Sequence, residues 1–108
     1  RDANIIVSMG LSESSGQSVG CLWNSNILIG IDGSILNHHR KLVPTFFEKL
    51  IWANGDGCGL CVVESDKGKI GALICGENTN PLARFSLMAQ GEQIHLSTYP
   101  PTWPTHEP

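Results

Sequence analysis

Apolar residues fall along this chain mainly in short, β-branched runs, with helical spacing in one place only. Residues 3–9 form the first run, stopped by Gly10, and predict a buried strand. Residues 11–20 are rich in Ser and Gly and predict a loop, in which Glu13 reads as a solvated, capping or buried structural carboxylate. Residues 21–29 predict a second strand. Ile31-Asp-Gly-Ser34 carries an Asp-Gly hairpin signal, and Ile35-Leu36 begins the return strand, which runs into the polar stretch Asn37-His-His-Arg-Lys41. Between 42 and 57 the periodicity is weak. Pro44 discourages a helix up to Val43, Thr45 is placed to cap a short turn over 46–52, and Asn54-Gly-Asp-Gly57 closes it.

Residues 60–63 and the apolar run from Ile70 to Ile74 predict further strands, with Ser65-Asp-Lys-Gly68 turning one into the other. Leu82, Phe85 and Met88/Ala89 then recur at helical spacing and predict a helix over 81–90. Asn80 is its N-cap, Pro81 its first residue and Gly91 its C′ residue. Residues 94–98 predict the last strand. The order gives an α/β (α+β) fold with a mixed sheet.

Composition narrows the class. The 108 residues are 41% hydrophobic and 16% charged, the balance of one globular domain rather than a disordered tract. A net charge of −3 without a basic cluster speaks against nucleic acid, and no apolar run approaches the ~20 residues of a membrane span. Cys21, Cys58, Cys61 and Cys75 sit in or beside apolar strands instead of a loop-rich, cysteine-dense scaffold, so they read as free thiols of a reducing, cytoplasmic compartment. The start at Arg1 and the Pro-rich end at 100–108 both read as cut.

Three groups carry candidate chemistry. Cys75 ends an apolar strand before Gly76, which permits a tight turn; this presents a thiol at the mouth of a site, or else Cys75 is a small buried hydrophobe. Cys58-Gly-Leu-Cys61 could be a metal knuckle or a dithiol. A zinc site wants a second ligand pair at similar spacing, and the remaining Cys and His are scattered; a redox pair usually precedes a helix. The two therefore read as incidental strand cysteines. His38-His-Arg-Lys41 is either an anion patch or a solvated strand end, with composition favouring the latter. The set Lys41, Glu48 and Cys75 is more telling: a thiol nucleophile with a lysine and carboxylates, and no obvious histidine partner.

His39-Arg-Lys-Leu-Val-Pro-Thr45, Glu48-Lys-Leu-Ile-Trp52, Gly55-Asp-Gly57 and Gly71-Ala-Leu-Ile-Cys-Gly-Glu-Asn78 together resemble the nitrilase branch of the carbon–nitrogen hydrolase superfamily. Pro81-Leu-Ala-Arg84, Ala89-Gln-Gly-Glu-Gln-Ile-His95 and Val7-Ser-Met-Gly10 with Glu13 extend the likeness over nearly the whole chain. The resemblance implies an α-β-β-α sandwich, of which residues 1–108 would be the central part of a single domain, truncated at both ends. It implies Cys75 as nucleophile, Lys41 as proton donor and stabiliser of the intermediate, Glu48 as a second catalytic carboxylate that positions lysine and substrate, and Glu77 in a supporting role. The family's general base, a glutamate upstream of the lysine motif, matches no residue here; Glu13 matches a different, non-catalytic glutamate.

The implied reaction is hydrolysis of a small nitrile to a carboxylic acid and ammonia through a cysteine thioimidate. It needs no metal or organic cofactor, and the full-length enzyme would be a homo-oligomer, with this fragment alone inactive. Gly76 stands where many nitrilases have Trp, which opens the pocket wall and leaves the substrate class undecided. A related amidase or a cyanide hydratase is the alternative within the class, and a non-catalytic C-x-x-C metal-binding module is the alternative outside it.

Overall fold

Alternating side chains close the first half of the chain into one antiparallel sheet, in a computed structural model that describes residues 2–100. Strands β1 (Val7–Ser15), β2 (Ser18–Ile29) and β3 (Ile35–Arg40) lie side by side in chain order. The β1–β2 ladder runs from the Val7↔Ile29 pair to the Ser15↔Ser18 pair, so most of the expected loop at 11–20 is strand. Ser12 and Ser14 share one face of the pleat, alternating with Leu11 and Glu13 on the other, and strand preference follows that context more than residue type. β1 is also largely exposed rather than buried, with Val7 at 38% and Met9 at 46%. The Asp-Gly hairpin forms as expected. Gly33 takes a left-handed φ of 85°, and the Asp32 carboxylate accepts the N–H and O–H of Ser34.

The second sheet has the order β4 (Val63–Ser65), β5 (Gly68–Ile74), β6 (Ile94–Thr98). β4 pairs antiparallel with β5, whereas β5 and β6 are parallel and require a crossover, which helix α1 (Pro81–Ala89) supplies. The strand expected at 60–63 begins only at Val63. The Gln90 side chain takes the Val62 N–H and donates to the Leu60 carbonyl, doing for these two residues what a neighbouring strand would do. Leu60 and Val62 still pack against the core.

β5 is the buried centre, with Ile70, Ala72, Leu73 and Ile74 all at 5% exposure or less. Leu73 meets Ala83 and Leu87 of α1, while its neighbours in the pleat point to the opposite side, where β2 lies against β5. α1 starts on Asn80, whose side chain accepts the N–H groups of Leu82 and Ala83, and ends before Gly91 at φ 82°. The stripe singled out by periodicity faces outward: Leu82 is 78% and Phe85 66% exposed, while Ala83 and Leu87 face in. This helix is apolar on two sides, and spacing alone does not say which one meets the sheet. Sheet, sheet and helix form three successive layers.

Candidate active site

The pleat of β3 and the residue after it deals four consecutive basic side chains to two sides. His38 and Arg40 meet Glu13. His38 Nε2 lies 2.7 Å from its carboxylate, Arg40 grips both oxygens, and Ser25 donates its hydroxyl at 2.6 Å. The Arg40 hydrogen bond outweighs the opposing effect of burial, and with Ser25 and His38 it brings the Glu13 pKa down from its ordinary 4.5 to about 2. Arg40 also stacks over the Trp23 ring at 4.2 Å and reaches Asp56.

His39 and Lys41 turn the other way and are buried, each at 1% exposure, so this is no solvated strand end. The Lys41 N–H extends the ladder to the Asn24 carbonyl, and its own carbonyl accepts the Gly55 N–H. Any side chain at Gly55 would collide with the Arg40 and Lys41 carbonyls, which is why glycine stands there. The Lys41 ammonium donates to Glu48 Oε2 at 2.5 Å and to Thr45 Oγ1 at 2.9 Å. The same Glu48 oxygen accepts the Thr45 N–H at the start of a 3-10 turn, Phe46–Leu50. Thr45 thus caps the expected short turn with its backbone and gives its hydroxyl to lysine.

Cys75 follows β5 directly and carries a left-handed φ of 51°. For a side chain with a Cβ that conformation costs on the order of 1–3 kcal/mol and marks functional turns. The tight conformation expected at Gly76 is therefore at the cysteine itself. Gly76 answers a different need: a Cβ there would sit 2.9 Å from the Thr45 hydroxyl that Lys41 uses. The elbow continues into a 3-10 turn, Cys75–Thr79, held by Asn78, which donates to the Cys75 carbonyl and whose amide oxygen meets His95 Nε2 at 2.7 Å and the Ser97 hydroxyl.

Within that turn Glu77 is buried. Its carboxylate accepts the Ile74 N–H at 2.7 Å and the Leu42 N–H at 3.1 Å, and meets His39 Nε2 at 2.7 Å. Burial would push this carboxyl up, but the His39 contact and the two backbone donors more than offset it and hold the group below the ordinary carboxylate range.

A cavity of about 220 Å³ opens where the two sheets meet. Cys75 and Glu48 line it together with Asn24, Trp52, Ile74, Thr98 and Tyr99. The structure thus gathers Cys75 and Glu48 at one cavity, with Lys41 joined to it through Glu48, and leaves Glu77 behind the wall.

A sequence profile described as carbon-nitrogen hydrolase matches residues 1–108. The chain belongs to the carbon–nitrogen hydrolase family. It is 48% identical over 100 residues to "Nitrilase 3" from an unknown prokaryotic organism, covering 93% of this chain and 29% of that protein. It is 46% identical over 101 residues to the "Cyanide hydratase" of Stereum hirsutum, covering 93% of this chain and 26% of the relative. Among solved structures it resembles the carbon-nitrogen hydrolase of Helicobacter pylori G27, with a TM-score of 0.77 and 26% identity over 89% of this chain and 32% of that one. The three layers are accordingly part of the family's α-β-β-α sandwich, and the chain spans less than a third of the length of these proteins.

Three contributors were not expected as part of the site. His39, Thr45 and Asn78 each hold a named site residue by a hydrogen bond. Strand alternation through 38–41 is the signal that would have separated His39 and Lys41 from His38 and Arg40. Cys58 and Cys61 are exposed and lie in the loop before β4, not within a strand. Asp56, within hydrogen-bonding reach of Cys58, pushes that thiol's pKa up, away from reactivity. No described helix is long and apolar enough to cross a membrane.

Proposed function

We propose that these residues supply the nucleophile and the lysine of a nitrile-hydrolysing enzyme. The observation that carries the reading is the strained Cys75 elbow sharing one cavity with Glu48, which in turn holds the buried Lys41 ammonium. The Cys75 sulfur adds to the nitrile carbon and a proton passes to nitrogen, giving a thioimidate, R–C(=NH)–S–Cys75. Water adds to that carbon, ammonia leaves, and a thioester remains. A second water releases the carboxylic acid and returns the thiol. Lys41 supplies charge and protons at the nitrogen, and Glu48 fixes the ammonium within reach of the cavity. The base that activates thiol and water is the upstream glutamate implied by the family resemblance, outside the matched residues. The substrate is a small nitrile, and the working enzyme is a homo-oligomer.

The likeness to a cyanide hydratase favours a second reading, in which hydration stops at the amide. The test is made in the full-length protein that carries these residues. Limiting iodoacetamide followed by peptide mass spectrometry should label Cys75 ahead of Cys58 and Cys61. Cys75→Ala should abolish turnover of a nitrile panel, while Cys61→Ser retains most of it. Ammonia against amide, measured in the same assay, decides between the two products. Preferential labelling of Cys58, or turnover surviving in Cys75→Ala, would overturn the assignment.

A further inference from the structure

We propose that Glu77 and His39 are positioning residues for this reaction: one buried carboxylate fixes the strand end bearing Lys41 against the strand end bearing Cys75. The inference rests on the reading of Cys75 and Lys41 just given. β3 and β5 belong to different sheets and share no ladder. Glu77 joins them at the point that matters. One of its oxygens takes the N–H of Ile74, the residue before Cys75, and the other takes the N–H of Leu42, the residue after Lys41. The side chain is 4% exposed and absent from the wall of the Cys75 cavity, so it acts through the backbone and not on substrate.

His39 completes the device. To bond a carboxylate its Nε2 must carry the proton, and it shares the oxygen that holds Ile74. Its other ring nitrogen, Nδ1, is buried and has no hydrogen-bond partner among the described residues. A buried polar atom without a partner costs stability, and a leucine would fill this space without that cost. The ring's polar function is therefore confined to Glu77. Catalysis through an attacking sulfur and a proton-donating lysine depends steeply on their separation, since a displacement near 1 Å can cost about 100-fold.

Glu77→Gln keeps the shape but sets an amide NH₂ against either the Ile74 or the Leu42 N–H, donor facing donor, and releases one strand end. In the full-length enzyme, with turnover normalised to titratable Cys75 thiol, kcat should fall about 100-fold while KM moves less than about 3-fold. His39→Leu should fall comparably. His39→Gln, which keeps a donor at similar reach, should recover most of the turnover. The double variant His39→Leu/Glu77→Gln should be no worse than the worse single one, because both remove the same link.

Four results would overturn the proposal: wild-type kcat in folded Glu77→Gln; a raised KM with unchanged kcat, which would put Glu77 on the substrate; additive losses in the double variant; or loss of the folded state in both single variants, which would assign the pair to the fold alone. An inert Cys75→Ala beside a fully active Glu77→Gln rejects only this clamp, whereas an active Cys75→Ala rejects the underlying assignment.

Discussion

His38 and Arg40, and His39 and Lys41, are chemically matched pairs drawn from one run of four residues, yet the pleat sends them into opposite employments. The first pair closes on Glu13 near the surface, with His38 at 42% and Arg40 at 28% side-chain exposure. The second pair goes fully under, one member to Glu77 and the other to Glu48. A cation in partial contact with water holds strands together at little desolvation cost. A dry one costs more and is useful where its charge must act on something else. The same composition therefore yields a half-exposed brace on one side of the sheet and, on the other, a buried pair held beside the proposed site.

Substitutions along the run should separate the two sides in graded order. Lys41→Ala is expected to have the largest effect, a loss of roughly 10⁴-fold or more in kcat of the full-length enzyme with its melting temperature changed far less. A variant with near-full activity would end the distinction. Arg40→Ala should do the reverse. It strips the grip on Glu13 and the stacking on Trp23, and should cost about 1–2 kcal/mol in denaturant unfolding with kcat per folded molecule retained.

Titration sharpens the same contrast. The Glu13 carboxyl has a folded pKa of about 2 against an ordinary 4.5. Because the folded value is the lower, the stabilisation is fully present above pH 4.5 and is lost as pH falls towards 2. Unfolding followed between those limits should show an acid-induced loss that Glu13→Gln reduces, and an unchanged slope would remove Glu13 from the brace. His38→Ala should be the mildest, within about 0.5 kcal/mol, since the ring is substantially exposed and Glu13 keeps Arg40 and Ser25.

Much of this was legible from the chain. The Asp-Gly hairpin, the Asn80-Pro81 helix start and the buried run into Cys75 rest on local rules that the structure obeys. The family, and with it the sandwich, came from ordered motifs matched by resemblance. What stayed hidden was orientation. Ser-rich residues 11–15 pair as a strand because β2 is there to receive them, which local composition does not encode. The α1 stripe faces outward because Ala83 and Leu87, on another side of the helix, are the residues that pack against Leu73. His39 and Glu77 lie far apart in sequence and meet only when two sheets are stacked. Even the strained residue of the elbow was misplaced by one position, since glycine is the ordinary guess and here the cysteine takes the positive φ.

That last feature sets selection for activity against selection for robustness. Glycine accepts a positive φ that every residue with a Cβ resists, so Cys75→Gly should melt above Cys75→Ala while both are equally inert. A library screened for heat tolerance alone would drift towards discarding the sulfur, and only a screen that also demands product would keep it.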